Sequence, residues 1–358
     1  MRDALPCRQG YTPGMLKPLP LFLAMLALLS PILGALPART AEEAWGALSL
    51  LDQSVAPGEK QRIRFETESN WIGATLDTLV LVARGREAGP TLCLVAAVHG
   101  DELNGVEIAR REFAAFDVAE TSGTLIALPM VNIHGVRSST RYLPDRRDLN
   151  RAFPGNPRGS TASIVAAAVF GEVLNPHCDR IVDLHTGSAN RRNLPQIRAD
   201  LDVPSVRELA EGFGSGVVIH GAGPEKSLRR EAVDAGIPAV IYEAGGPLRF
   251  EREEIEQGVA GVQRVMRRLG MIAKAPASPS EQRSFRKTRW VRTRTGGIFL
   301  TDLPLGSEVA AGQVMGTVTD PFTDQREEIR APVAGFLIGG AEPQVVMAGY
   351  ALFHLGIE

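Results

Sequence analysis

Seven short apolar segments, most of them separated by stretches with helical periodicity, are the feature of this sequence that most restricts its fold. Between two of them, Val106, Ala109, Phe113 and Phe116 recur at steps of three and four, which predicts a helix with one apolar face. Apolar strands joined by helices indicate an α/β protein with a mixed, mostly parallel sheet and helices on both faces. The segments are RIRFE (62–66), DTLVLVA (77–83), TLCLVAAV (91–98), TLIALPMV (124–131), RIVDL (180–184), GVVIHG (216–221) and PAVIYEAG (238–245).

The first forty residues have a different composition from the rest of the chain. Residues 18–38 carry no charge and are rich in leucine, with Arg8 and Lys17 before them and charged residues after them. This pattern predicts a signal peptide or an N-terminal anchor over residues 1–41, with cleavage near Ala38 or Ala41. We therefore expect an exported, periplasmic protein without stable membrane insertion once the signal is cleaved, or a membrane-anchored one if it is not.

Composition predicts three further parts after this segment: a catalytic body at 42–273, a Pro/Ser-rich linker at 274–284 and a C-terminal β-domain at 285–358. In the last part EVAAGQVMGTV is echoed by VVMAGYALFHL, which indicates a small pseudo-symmetric all-β domain. This domain resembles the biotinyl/lipoyl-like barrel-sandwich hybrid. The chain has no lysine after Lys287, so the carrier's attachment residue is missing, and we interpret the domain as a shield or a substrate-access element.

Charge and cysteine content exclude several classes of protein. The formal net charge of −2 gives no sign of nucleic-acid binding. Three cysteines form at most one bridge, and Cys7 lies in the segment predicted to be removed, so a small disulfide-based scaffold is excluded. The oligomeric state cannot be read from this sequence.

His99 and Glu102 stand three residues apart where the TLCLVAAV segment ends, and His185 stands where RIVDL ends. In a parallel sheet such strand ends meet at the edge where ligands bind. Two histidines and one carboxylate leave one tetrahedral position open for water, as in catalytic zinc sites. The pattern predicts one Zn²⁺ ion, although a His-x-x-Glu pair also occurs by chance in many proteins and the set accepts other divalent ions.

A zinc-bound water needs a group that takes its proton, and the leaving nitrogen needs a proton in return. Glu243 ends the last apolar segment, beside two glycines that give room for a substrate. The alternative for Glu243 is a surface carboxylate at a turn. Its strand-end position, shared with both histidines, favours the catalytic interpretation.

A basic segment lies between the two halves of this predicted site. Guanidinium groups bind planar carboxylates in a bidentate manner or polarise a carbonyl, while the alternative is a solvated loop. The segment holds Arg137, Arg141, Arg146, Arg147 and Arg151, together with Asn150.

Four ordered motifs, HGDE, DLNRAFPG, DLHTGS and YEAGG, resemble those of the succinylglutamate desuccinylase/aspartoacylase family of zinc carboxypeptidase-like hydrolases. The resemblance covers about residues 60–358 and includes the C-terminal β-domain. It implies that His99, Glu102 and His185 bind zinc. It also implies that Glu243 is first the general base and then the acid.

The same resemblance assigns substrate contacts in the basic segment. Asn150 and Arg151 would hold the substrate carboxylate, and Arg141 would polarise the scissile carbonyl, with Arg147 as its rival. The expected function is zinc-dependent hydrolysis of the amide of an N-acylated amino acid or another small molecule or short peptide with a carboxylate. The alternatives are a periplasmic carboxypeptidase or amidase acting on cell-wall peptides, and a non-catalytic binding protein.

Overall fold

The computed structural model describes residues 45–67, 77–279 and 281–358, so the predicted N-terminal signal lies outside the described residues. Its helices are α1 (Asn104–Ala115), α2 (Ile133–Arg137), α3 (Thr161–Ala168), α4 (Asn175–His177), α5 (Pro204–Phe213), α6 (Leu228–Asp234) and α7 (Arg252–Arg268). A 3-10 turn covers Leu149–Arg151, and a π-helical segment covers Val169–Leu174. Within these ranges the structure contains no helix with both the length and the apolar character needed to cross a bilayer.

The strands up to the linker are β1 (Leu48–Leu50), β2 (Gln53–Val55), β3 (Lys60–Glu66), β4 (Asp77–Arg84), β5 (Glu87–Ala96), β6 (Ser122–Leu128), β7 (Arg180–His185), β8 (Arg191–Ala199), β9 (Val217–His220) and β10 (Ala239–Gly245). Those after it are β11 (Arg283–Phe285), β12 (Lys287–Arg292), β13 (Gly297–Leu300), β14 (Glu308–Val309), β15 (Val314–Thr319), β16 (Arg326–Arg330), β17 (Gly335–Ala341), β18 (Gln344–Val346) and β19 (Ala351–Ile357). Each of the seven predicted segments contributes one of these strands.

The main sheet has the order β12-β19-β17-β8-β10-β7-β5-β6-β4-β3, with β9 between β8 and β11 and with β14 on β17. Its central strands β6, β5, β7 and β10 are parallel, whereas β3, β4, β8 and the C-terminal strands pair in an antiparallel manner. A second antiparallel sheet has the order β16-β15-β13-β18. The predicted fold class, a mixed α/β sheet with helices plus a separate C-terminal β sheet, is confirmed.

Alternate residues of the central strands enter two different cores. On β5, Cys93 and Val95 pack with α3 on one face, while Leu92 and Leu94 pack with α1, α5 and α7 on the other. All four side chains are fully buried. A strand that is covered on both faces has no polar side, which is why these segments are continuously apolar in the sequence.

Helix α1 packs on the sheet through the face that the periodicity predicts. Val106, Ala109, Phe113 and, just after the helix, Phe116 are all buried. Asn104 joins the start of this helix to the end of β10, because its Nδ2 donates to the carbonyl of Ala244. The turn that precedes α1 therefore has a defined position against β10.

The linker and the exact bounds of the C-terminal domain stay predictions, but two pairings show how the strands from Arg283 onward attach to the body. β11 extends the sheet beside β9, and β17 pairs with β8 through Gly339 to Ala341. The main sheet therefore continues from the body into the C-terminal strands.

Cys93 of β5 and Cys178, just before β7, form a disulfide with a Cα–Cα distance of 5.7 Å. Both are buried. This bridge is the single one that the cysteine count allows.

We expect Glu112 of α1 to make the stability of the fold depend on pH. Burial raises the pKa of Glu112 from 4.5 to about 7, although Gln263 of α7 donates a hydrogen bond to it. Its stabilising contribution is thus complete below pH 4.5 and is lost as the pH rises through about 7. Relative to the wild type, Glu112→Gln should gain roughly 2–3 kcal/mol in the free energy of unfolding between pH 5 and pH 8, measured by urea denaturation.

Glu107→Gln is the control on the same helix, because its arginine partners hold the pKa of Glu107 near 2 and it does not titrate in this range. The assignment of a raised pKa to Glu112 would be contradicted if the free energies of unfolding of Glu112→Gln and the wild type differed by the same amount at pH 5 and pH 8.

Candidate metal centre and active site

Three strands bring the predicted chemistry to one edge of the main sheet. The turn after β5 carries His99 and Glu102, and β7 ends with His185. β10 pairs in parallel with β7, which places Glu243 directly beside His185 in the register. Side chains that are separated by more than 140 residues in the sequence therefore meet because parallel strands end at a common edge.

The turn after β5 follows its path only because it contains glycine. A Cβ at Gly100 would lie 2.0 Å from the carbonyl carbon of Gly135. The backbone between His99 and Glu102 therefore packs directly against the middle of α2. This close contact holds the turn in place.

The side chains of His99, Glu102 and His185 converge on one point. Nδ1 of His99 lies 2.8 Å from Oε1 of Glu102, and Nδ1 of His185 lies 2.7 Å from Oε2. All three residues are buried, and their donor atoms lie within 4.8 Å of one another. Two imidazole nitrogens and one carboxylate oxygen in this arrangement fit a metal ion with an open coordination position.

The protonation of the cluster supports this interpretation. Burial alone would raise the pKa of Glu102, yet the two imidazoles hold it well below its usual value. Burial would lower the pKa of His185, but Asp183 and Glu102 raise it well above its usual value. The site thus stabilises positive charge at the point where the three donors meet.

Two further carboxylates contact the outer nitrogens of the histidines. Oδ2 of Asp183 lies 3.0 Å from Nε2 of His185 in an ion pair, and Oδ1 of Asp148 lies 3.2 Å from Nε2 of His99. Such contacts orient a metal-binding histidine and raise its basicity. Neither aspartate was predicted as a site residue, although each lies in a motif that was recognised, DLHTGS and DLNRAFPG.

Asp148 also links the metal centre to the predicted substrate residues. Its Oδ1 accepts from the backbone N–H of Asn150, and its Oδ2 accepts from Arg141 at 2.8 Å. Burial would raise the pKa of Asp148, but the hydrogen bond from His99 and the charges of His99 and Arg141 lower it. One ionised carboxylate therefore positions three predicted residues.

Arg141 points into the metal centre. Its Nη1 lies 3.3 Å from Oε1 of Glu102 and donates at 2.8 Å to Oγ of Ser188. Burial would lower the pKa of Arg141, but Glu102 and Asp148 raise it. The guanidinium therefore lies between Asp148 on one side and Glu102 and Ser188 on the other.

Asn150 and Arg151 line the cavity onto which His99, Glu102 and His185 open, whereas Arg147 lines a neighbouring cavity. Oδ1 of Asn150 accepts from the backbone N–H of Leu228 at 2.8 Å, which leaves its Nδ2 as the donor toward a ligand. Nη1 of Arg151 donates to the carbonyl of Asn150 at 2.6 Å. Arg147 is exposed, and its closest carboxylate is that of Asp145 at 3.7 Å.

Glu243 is held by two residues of β8 that the sequence analysis missed. Asn193 donates to its Oε2 at 2.5 Å, and Nη2 of Arg198 lies 2.7 Å from the same oxygen. Both contacts leave Oε1 available to a ligand. β8 was not predicted because RRNLPQIRA is polar and contains a proline.

The cavity in front of these groups has a volume of about 210 Å³ and is strongly basic. In Arg198 and Arg229 the Nε atoms are buried and have no hydrogen-bond partner among the described residues. Burial and the nearby Arg198 lower the pKa of Arg229 to about 10, so it stays charged at neutral pH. The arginines that line the cavity are Arg141, Arg151, Arg191, Arg198 and Arg229.

Trp290 of β12 completes the wall of the cavity from the C-terminal strands. Its indole stacks on the imidazole of His354, with ring centroids 4.2 Å apart and an interplanar angle of 5°. Burial, with the charges of Arg198 and Arg191, lowers the pKa of His354 to about 3, so this imidazole is neutral. The cavity is thus lined by residues of the body and by Trp290 from the C-terminal strands.

We expect Asp183→Asn to weaken metal binding by about 10- to 100-fold, because the substitution removes the charge that orients His185. Competition with a chelator measures this affinity. The control is Asp179→Asn, since Asp179 accepts from the backbone of Thr91 just before β7, at the other end of that strand. Equal affinity of Asp183→Asn and the wild type would show that the ion pair has no such role.

Comparison with known proteins shows similarity over both parts of the chain. The chain is 27% identical over 265 residues to the N-alpha-acetyl-L-2,4-diaminobutyric acid deacetylase of Halomonas elongata, covering 71% of this chain and 76% of that protein. The crystal structure of a succinylglutamate desuccinylase/aspartoacylase from Rhodobacter sphaeroides has a TM-score of 0.74 at 26% identity and covers 83% of this chain and 96% of its own.

The product-bound ectoine utilization protein EutE (DoeB) from Ruegeria pomeroyi has the same fold, with a TM-score of 0.75 at 22% identity, and covers 84% of this chain and 95% of its own. The family model described as "Succinylglutamate desuccinylase/Aspartoacylase catalytic domain" matches residues 88–269, which include the metal cluster and Glu243. The chain therefore belongs to the succinylglutamate desuccinylase/aspartoacylase family.

Proposed function

We propose that this protein is a zinc-dependent deacylase that hydrolyses the amide bond of an N-acylated amino acid. The observation that carries the proposal is the buried cluster of His99, Glu102 and His185, which opens on a basic cavity that also contains Glu243. The Halomonas elongata relative is named as a deacetylase of an N-acetylated amino acid, which supports the same reaction class.

His99, Glu102 and His185 would hold one Zn²⁺ ion. Two imidazoles and a carboxylate are the ligand set of catalytic zinc sites with one open position. When bound, the ion would lower the pKa of a coordinated water to about 7 and polarise the carbonyl of the substrate. Asp183 and Asp148 keep the ring nitrogens of the two histidines oriented for this role.

Glu243 would take the proton from the attacking water and give it to the leaving amine. Asn193 and Arg198 hold Oε2 of Glu243, so Oε1 would be the atom that contacts the water.

Arg141 would stabilise the negative charge that develops on the carbonyl oxygen, since its guanidinium already lies beside Glu102. Asn150 and Arg151 would bind the carboxylate of the amino acid. The excess of arginine over carboxylate in the cavity favours a substrate that carries at least one negative charge.

Replacement of Glu243 by Gln should leave the metal in place and lower turnover by about 10²- to 10⁴-fold, since proton transfer is lost. His99→Ala should lose both the metal and the activity. Metal analysis of the purified variants, with hydrolysis of a panel of N-acyl amino acids in the presence and absence of a chelator, measures both effects.

The panel should include short peptides and muropeptides, because cleavage of these alone would favour the carboxypeptidase or amidase function. A Glu243→Gln variant with near-normal turnover would disprove the role of Glu243. A wild-type protein that binds zinc but hydrolyses no member of the panel would favour a binding protein.

We also propose that the protein is exported, with residues 1–41 acting as its signal. The charge and leucine pattern of this segment supports the proposal. The pairing of Cys93 with Cys178 supports it as well, because disulfides persist mainly in oxidising compartments.

Expression of the full chain in a Gram-negative bacterium should yield a periplasmic protein that starts near residue 39 or 42 and has no reactive thiol at Cys93 or Cys178 after denaturation. Mass spectrometry of the alkylated protein identifies the N-terminal residue and shows whether Cys93 and Cys178 carry the alkyl group. A variant that starts at residue 42 is the control and should stay in the cytoplasm. Full-length protein in the cytoplasm with two alkylated cysteines would contradict the proposal.

A further inference from the structure

The turn at residues 187–191, which joins His185 to β8, contacts the metal ligand Glu102 directly. The hydroxyl of Ser188 donates to Oε1 of Glu102 and accepts a hydrogen bond from Nη1 of Arg141. Hydrogen bonds to a metal-binding carboxylate orient it and tune its affinity for the ion. Ser188 is therefore placed to act on the metal through Glu102.

This turn has an unfavourable backbone conformation. Ala189 and Asn190 have φ values of 54° and 53°, in the left-handed region. For alanine such a conformation is unfavourable and persists only when surrounding contacts impose it. The position of Ser188 thus depends on the groups that hold its neighbours.

Those groups come from the C-terminal strands. The hydroxyl of Tyr350 donates to the carbonyl of Ala189. The carbonyl of Asn190 accepts from Nε2 of Gln344 at 3.0 Å and from the backbone N–H of Glu342 at 2.9 Å. Both carbonyls of the left-handed pair are therefore bonded to the region 342–350.

Arg191 anchors the end of the turn to the same region. Its guanidinium lies 5.5 Å from the ring centroid of Trp290 and 5.6 Å from that of Tyr350. Its backbone pairs with Ala341 of β17. The turn is thus fixed on its outer side by the C-terminal strands and contacts the metal centre on its inner side.

We propose that Tyr350 and Gln344 are positioning residues for the metal centre: they hold residues 187–191 so that the Ser188 hydroxyl stays against Glu102. The proposal rests on the metal site of the proposed function, but it does not depend on which amide the protein hydrolyses. It gives the C-terminal β-domain a function in metal retention, in addition to its contribution to the cavity wall.

The experiment uses the full chain loaded with Zn²⁺ and measures the rate of zinc release to a chelator. Tyr350→Phe should release zinc about two- to tenfold faster, since it removes one hydrogen bond to the turn. Gln344→Ala should release zinc at least as fast as Tyr350→Phe, since it removes the bonds of Gln344 to both the carbonyl and the side chain of Asn190. Ser188→Ala should accelerate release at least as much. The visible absorption of the Co²⁺-loaded protein should change in the same three variants.

A double-mutant cycle separates positioning from a general loss of stability. If Tyr350 acts through Ser188, Tyr350→Phe should have no further effect on zinc release in a Ser188→Ala protein. The control is Thr301→Val, which removes the hydroxyl that donates to the carbonyl of Met315 and accepts from the backbone N–H of Leu303, within the C-terminal domain and away from the turn. It should release zinc at the wild-type rate.

Wild-type release rates in both Tyr350→Phe and Gln344→Ala would overturn the proposal, and so would an equal effect of Tyr350→Phe with and without the Ser188 hydroxyl. A wild-type protein that binds no zinc would instead overturn the metal site itself. Because no turnover is measured, a failure to find the amide substrate leaves these results interpretable.

Discussion

The carboxylate of Glu102, shared between two imidazoles in the interior, is the interaction on which the rest of the site depends. A carboxylate with 2% of its surface exposed is strongly destabilised unless positive charge surrounds it. His99, His185 and Arg141 contact this carboxylate, and Asp148 and Asp183 contact the two histidines in turn. Glu102 and His99 follow β5, and Asp183 and His185 belong to β7, so the position of the carboxylate depends on the register of β5 and β7. Arg141 and Asp148 come from the loop after α2.

This arrangement explains why the metal ligands could be predicted from the sequence and their surroundings could not. His99 and His185 interrupt apolar runs, and the geometry of parallel strands brings such interruptions together. Asp183 lies within an apolar run, and the face of the sheet toward which its side chain points is set by the pleat of β7. The contact between Asp148 and His99 depends on the path of a loop that no local pattern describes.

The same reasoning applies to β8 and the C-terminal strands. β8 has no apolar periodicity because one side of it lines a polar cavity, and for that reason the residues that hold Glu243 were missed with it. Trp290 enters the cavity from a strand about fifty residues after Glu243, through pairing of β19 with β12 and β17. Pairings of this kind are set by tertiary contacts, whereas the central strands and helix α1 are set by local pattern and burial, which the sequence displays.

The pairing of β17 with β8 also limits how a substrate can enter. β17 pairs with β8 at Asn193, the residue whose side chain donates to Glu243. A hinge movement that swung the C-terminal strands outward would have to break this ladder and separate Trp290 from the cavity wall. The C-terminal strands consequently cannot swing away as a lid without the loss of sheet hydrogen bonds, so the wall that Trp290 forms is continuous with the sheet that carries Glu243.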